Sequence, residues 1–140
     1  MLVVSLAAQE PGNAELQYEA ACVHDFLGDE SGAVPYYLAA LDGCLPDDQA
    51  RGAYLGLGST YRALGEYERA EETLSAGLLR FPGANDLKVF LAMVWHNQGK
   101  SGAAVETLLQ VIAQTSDDKY VSQYRNAIAL YARDIGRNWR

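Results

Sequence analysis

Along most of the chain, apolar and small side chains recur at intervals of three and four, the spacing that lines one face of a helix rather than one face of a strand. The pattern is clearest from Gly52 to Pro82 and from Leu87 to Ser116. It predicts helices over 14–27, 31–44, 49–64, 67–80, 85–98, 101–115 and 117–135, with no strand. A shorter apolar stretch, Leu2 to Gln9, precedes the turn Pro11-Gly12-Asn13 and reads as the remnant of a preceding second helix. Pro35 falls inside the helix expected over 31–44. It must sit in the first turn or produce a kink, because deeper in a helix it removes a hydrogen bond and clashes with the preceding turn. The last helix is expected to take its N-cap from Ser116 and Asp117. Its stripe of Tyr120, Tyr124, Ala127, Ile128, Tyr131 and Ile135 suits a helix that covers the end of a core.

The helices also repeat in pairs. Gly65 and Gly99, each in the loop between two helices, lie 34 residues apart. With them aligned, Tyr61 falls on Trp95, Leu57 on Leu91, Gly58 on Ala92, Ala70 on Ala104 and Leu74 on Leu108, so small residues match small and large match large. The preceding segment follows the same frame with Gly28 as its loop glycine, Ala21 and Ala33 at the small positions, and His24 at the aromatic one. Gly28 to Gly65 is 37 residues, and the three extra residues lie around Leu45-Pro46-Asp47-Asp48, where a change of phase costs no core contact.

This pattern resembles the tetratricopeptide repeat, in which each unit is a helical hairpin whose small residues let the two helices approach closely. Tyr54, Leu57, Gly58, Tyr61, Gly65, Tyr67, Ala70, Leu74 and Pro82 carry the resemblance in its strongest unit. The first unit departs from it at Gln17 and His24; the third departs at Lys88 and lacks the closing proline. The resemblance implies an all-α fold, a right-handed superhelix of hairpins forming a single repeat domain. Its parts are a remnant helix and turn over 1–13, repeats over 14–50, 51–84 and 85–116, a capping helix over 117–135 and a tail over 136–140.

Composition narrows the function. Of the 140 residues, 49% are hydrophobic, enough for one core or a short array, and the net charge of −7 argues against binding nucleic acid, which needs clustered cations. The charge is uneven: residues 1–50 hold nine acids and no Lys or Arg, and residues 51–140 hold eleven basic and nine acidic side chains. No apolar run approaches the about 18 residues of a membrane span, and Leu2 to Ala8 lacks the basic flank of a secretory signal, so a cytoplasmic protein with no membrane partner is expected. Cys22 and Cys44 lack the paired spacing of a zinc site or disulfide scaffold. Gly52 to Thr60 superficially resembles a phosphate loop but has no lysine before Ser59-Thr60, so its glycines read as close-packing positions. Cys22 and His24 point about 200° apart on a helix, which disfavours a metal. His24 is expected to replace a core aromatic and His96 to sit at a groove edge, so neither catalytic residues nor a cofactor are predicted, and the chain is not read as an enzyme.

What remains is surface. In the family the resemblance points to, the first helix of each hairpin lines a concave groove. Carried onto this chain, the candidate peptide-binding residues are Tyr18, Cys22, Asp25 and Phe26, then Leu55, Ser59 and Arg62, then Asp86, Val89, Met93, His96 and Asn97. Glu15 belongs to the same stripe. The resemblance thus implies a non-catalytic interaction module or adaptor that takes a protein or peptide segment with an apolar anchor and a basic flank. Its alternative is a structural homodimer whose groove or open end is occupied by its own second copy. Capture of a chaperone tail is disfavoured, because the positions that would clamp a terminal carboxylate hold Tyr18, Cys22, Gly56, Asp86 and Phe90.

Overall fold

The structure, a computed structural model, describes residues 2–138. Among them the chain forms helices α1 (Leu2–Gln9), α2 (Ala14–Phe26), α3 (Glu30–Asp42), α4 (Asp47–Ala63), α5 (Tyr67–Arg80), α6 (Asn85–Asn97), α7 (Ser101–Thr115), α8 (Lys119–Ser122) and α9 (Arg125–Ala132), and no strand. Helices α2 and α3, α4 and α5, and α6 and α7 pair as hairpins, and each hairpin packs on the next. No helix among the described residues is long and apolar enough to cross a membrane.

The three hairpins turn in the same way. Gly28, Gly65 and Gly99 adopt φ of 76°, 78° and 80°, a region that side chains with a Cβ enter only with strain. A Cβ at any of them would meet nothing within 4 Å, so conformation and not space selects glycine. The residue after each glycine donates its amide five residues back, Asp29 to His24, Glu66 to Tyr61 and Lys100 to Trp95, at 2.8–2.9 Å. That bond satisfies a carbonyl which the helix end would otherwise leave unpaired.

Close approach of the helices explains the small-residue positions. Ala21, Ala33, Ala50, Ala53 and Ala70 are fully buried beside Leu57, Leu74, Leu87 and Val94. A Cβ on Gly58 would lie 2.5 Å from Cγ of Leu74, so this glycine is required by space. Gln17, a departure from the family pattern, is buried and donates from Nε2 to the carbonyls of Ala7 (2.8 Å) and Glu10 (3.1 Å). It thereby satisfies backbone groups at the end of α1, a role that a bulky apolar residue could not take. His24 stacks on Tyr36 with ring centroids 5.1 Å apart, filling the aromatic position, and its Nδ1 lies 3.0 Å from Oδ2 of Asp29.

Pro35 lies beyond the first turn of α3, on an exposed face, and the helix continues on both sides of it. The carbonyl of Ser31, four residues earlier, therefore has no intrahelical donor, and exposed Ser31 leaves it to solvent. The single capping helix over 117–135 is instead two, α8 and α9, interrupted at Gln123-Tyr124. Its first N-cap is Asp118, whose Oδ1 accepts from the amide of Tyr120 at 2.8 Å. Where the two preceding units place buried Leu57 and Leu91, the frame places Arg125, whose Nε donates to the carbonyl of Ala113 at 2.7 Å. Tyr120, Tyr124, Tyr131 and Ile135 stay exposed; α9 packs on α7, with Ala132 buried and Ala127, Ile128 and Ala129 half-buried. Residues 136–138 follow as tail; Trp139 and Arg140 lie outside the described residues.

Candidate functional site

The first helices α2, α4 and α6 lie side by side, joined by three polar links that each span 35 residues of sequence. Thr60 donates from its hydroxyl to Oδ1 of Asp25 at 3.1 Å, tying α4 to α2. Arg51 donates from Nε (3.0 Å) and Nη2 (2.6 Å) to Oδ1 of Asp86, tying α4 to α6. Arg62 donates from Nε to Oδ1 of Asn97 at 2.7 Å, tying the same pair at its other end. Between α4 and α6 this spacing is one more than the 34-residue offset of the two units. Between α2 and α4, whose loop glycines lie 37 residues apart, it is two less, so the contact of Thr60 with Asp25 is not the equivalent of the other two. Thr60 and Arg51 were not among the sequence candidates, although a search for complementary polar pairs at that spacing would have found them.

The predicted groove residues fall on this surface with unequal freedom. Cys22, Phe26, His96 and Asn97 are exposed, Phe26 at 90%, whereas Tyr18, Asp25, Leu55, Ser59, Arg62, Asp86, Val89 and Met93 are half-buried. Leu55 packs against the core cluster, as does Tyr18, whose hydroxyl lies in the notch left by Gly52. The two acids chosen to attract a basic flank are engaged internally. Both oxygens of Asp25 accept hydrogen bonds, from Thr60 and from the Tyr37 hydroxyl, and Asp86 is held by Arg51. Glu15 and Asp48 remain exposed at the α2 end.

Burial and neighbouring charge set the titration of this cluster. Burial, followed by the nearby Cys22 thiol, pushes the Tyr18 phenol up to about 12. Burial and then the hydrogen bond to Asp25 push Tyr37 higher still, so it serves as a fixed donor. Burial also raises the Cys22 thiol, with Asp25 adding to it, which makes the sulfur a poor nucleophile at neutral pH. Burial, the largest single influence, would raise the Asp86 carboxyl, but the hydrogen bond from Arg51, those from the backbone amides of Leu87 and Asp86, and the Arg51 charge together outweigh it and hold the group below its ordinary value. A carboxylate depressed on folding stabilises the protein above the unfolded value of about 3.9, and the contribution disappears as pH falls through the folded value. The urea midpoint of Asp86→Asn should therefore lie below wild type at neutral pH, and the gap should close below about pH 4. Both side chains are more than a third exposed, so the gap is small and shrinks with salt. A gap unchanged from pH 7 to 3 contradicts the link.

At the far end of this surface lies an apolar pocket of about 240 Å3 between α6 and α7, lined by Arg62, Ala92, Met93, His96, Ser101, Ala104, Val105 and Leu108. Ser101 and His96 meet at its rim, Oγ to Nδ1, at 3.1 Å. The pocket is open because α9 packs on α7 and makes little or no contact with α6, whereas α6 packs on both α4 and α5. A larger hollow of about 580 Å3, lined by Glu68, Glu71, Glu72 and Lys100, lies away from the stripe. Among the described residues no three His, Cys, Asp or Glu side chains converge as metal ligands.

Stacked helical hairpins whose first helices form one polar-and-apolar surface define the chain as an α-helical repeat protein. Residues 14–135 match the family model described as Tetratrico peptide repeat, and the chain belongs to that family. Repeats of this family are typically non-catalytic interaction modules, and protein partners are what the family implies. A search of curated proteins found no match to the chain.

Proposed function

We propose that the protein is a non-catalytic adaptor that binds a peptide or protein segment along the surface of α2, α4 and α6. The observation that carries this reading is the contrast along each first helix. Core positions such as Leu57, Leu87 and Val94 are buried, while none of the candidate groove residues is. Half-buried Val89 and Met93 supply apolar contact, with Met able to adapt its shape. A basic flank on the ligand would be met by Glu15 and Asp48 rather than by the engaged Asp25 and Asp86. The unpaired state of Cys22 and Cys44 supports a reducing, cytoplasmic setting.

The second reading, a homodimer, is favoured by exposed apolar side chains at the two ends, Leu2 on α1 and Tyr120, Tyr124 and Ile135 around α9. One set of samples separates the two. A displayed random-peptide library selected on the wild-type chain should enrich a consensus that Val89→Asp and Met93→Asp no longer bind, with both variants keeping the wild-type melting temperature. Light scattering of the same samples should report monomers even at about 100 μM, a concentration at which a specific self-contact would be saturated and give dimers. Dimers that the same substitutions dissociate would replace the groove reading with the second. Variants that melt early would place Val89 and Met93 in the core.

A further inference from the structure

We infer that the pocket between α6 and α7 is the ligand's anchor site, and that it takes one aliphatic or aromatic side chain from a segment that carries a side-chain carboxylate next to that anchor. This inference rests on the groove reading and specifies the ligand chemistry at one end of it.

Size and lining come first. At about 240 Å3 the pocket is smaller than the roughly 300–1,000 Å3 typical of sites for small molecules and cofactors, and it suits a single large side chain. Its apolar lining is Ala92, Met93, Ala104, Val105 and Leu108, and its polar lining is Arg62, His96 and Ser101. Met93 joins the pocket to the stripe on α6, so a segment lying on that stripe passes over the opening.

Charge then fixes the neighbour of the anchor. Among the described residues the only ionisable side chains lining the pocket are Arg62 and His96, with no carboxylate. Arg62 uses Nε on Asn97, and among the described residues its two terminal nitrogens make no hydrogen bond. A guanidinium held by one nitrogen, with two coplanar donors left, fits a carboxylate in a bidentate pair. The carboxylates elsewhere on the surface that could have neutralised it, Asp25 and Asp86, are held by Thr60 and Tyr37 and by Arg51. The surface is therefore polarised: open acids, Glu15 and Asp48, at one end and an open cation at the other. The chain's net charge of −7 opposes an acidic ligand at long range, but at physiological salt that repulsion is screened beyond about 8 Å.

The sequence contains two methionines, Met1 and Met93, so a chain labelled with 13C-methyl methionine gives two methyl signals, one of which reports the pocket. Three acetylated and amidated pentapeptides serve as probes: Ala-Glu-Leu-Glu-Ala, Ala-Lys-Leu-Lys-Ala and Ala-Glu-Ala-Glu-Ala. Acids on both sides of leucine make the result independent of chain direction. Titrations extend to about 10 mM, which registers fragment-level binding weaker than millimolar. The expected result is saturable movement of the Met93 methyl by the Glu-flanked leucine peptide, at least tenfold weaker binding of the Lys-flanked one, and no movement by the leucine-free one. In Arg62→Gln the Glu-flanked and Lys-flanked peptides should bind within about twofold of each other, a difference near the scatter of such measurements. Equal binding of the first two peptides by the wild-type chain, or movement by the leucine-free one, overturns the inference. Amide signals of Tyr18 and Leu55, read in parallel, separate the two levels of argument. Shifts there with Met93 silent remove the anchor site and leave the groove reading standing, and silence throughout removes both.

Discussion

Leu74→Ala should be among the most damaging single substitutions in this protein, lowering stability by about 2–5 kcal/mol, as deletion of a fully buried leucine does when its surroundings relax only in part. The informative measurement is its coupling to Gly58. On helical preference alone, Gly58→Ala would gain about 1 kcal/mol, because alanine restricts the unfolded chain and favours the helix. In the wild-type background the new Cβ would lie 2.5 Å from Cγ of Leu74 and 2.6 Å from Cδ2. Leu74 is buried and has no room to yield, so the substitution should instead destabilise by about 1–3 kcal/mol. Once Leu74 is alanine, the obstruction is gone and Gly58→Ala should be neutral or stabilising. Urea denaturation of the two single variants and the double variant gives the coupling directly. Additive effects would mean that the two helices do not meet at these positions, and the repeat alignment that pairs Gly58 with Ala92 and Leu74 with Leu108 would lose its physical basis.

Gly56→Ala should be nearly as costly and local in its consequences. A Cβ at this position would lie 2.5 Å from Cζ and 2.7 Å from Cε1 of Tyr37, a buried ring whose hydroxyl is donated to Asp25. Moving the ring away means losing both the packing and a hydrogen bond to a charged acceptor, for a net loss of about 3 kcal/mol after the gain in helical preference. In a stacked array each hairpin is supported by its neighbours, so the damage should appear where the first hairpin docks on the second. Hydrogen exchange is expected to show lost protection in α2 and α3 and retained protection in α6 and α7. Uniform loss across all helices would show that the array unfolds as a single unit. Wild-type stability would show that Tyr37 is free to move.

The same two glycines show how far reading the chain can go. Both were legible as close-packing positions, because a glycine inside a helical apolar pattern costs about 1 kcal/mol relative to alanine, a loss that close approach of a neighbouring group offsets. Which partner each one admits was not legible: Gly58 receives a leucine from its own hairpin, and Gly56 receives a tyrosine from the preceding one. The distinction depends on how hairpins stack, and the period of the pattern leaves that open. Likewise, Asp25 and Asp86 read as free charges on a groove, since nothing local to either supplies a partner. Their partners Thr60 and Arg51 lie 35 residues away and arrive only when adjacent first helices are brought alongside.

The end of the array shows the opposite limit. Tyr120, Tyr124, Ile128, Tyr131 and Ile135 share a helical spacing, and the pattern alone makes them one continuous packing face. The structure breaks that helix at Gln123-Tyr124, and Arg125, at the position that Leu57 and Leu91 hold in the units before it, donates to the carbonyl of Ala113. The pocket beside Met93 lies where α9 packs on α7 and leaves α6 uncovered, and no property of Met93, Val105 or Leu108 in the sequence announced it. Local periodicity and the spacing of loop glycines by themselves determined the helices of the three hairpins, their pairing and their family, because φ at Gly28, Gly65 and Gly99 and the close approach at Gly58 act within a hairpin. Tertiary structure alone decided which charges are spent and where the surface opens, because both depend on contacts between hairpins that are remote in the chain and adjacent in space.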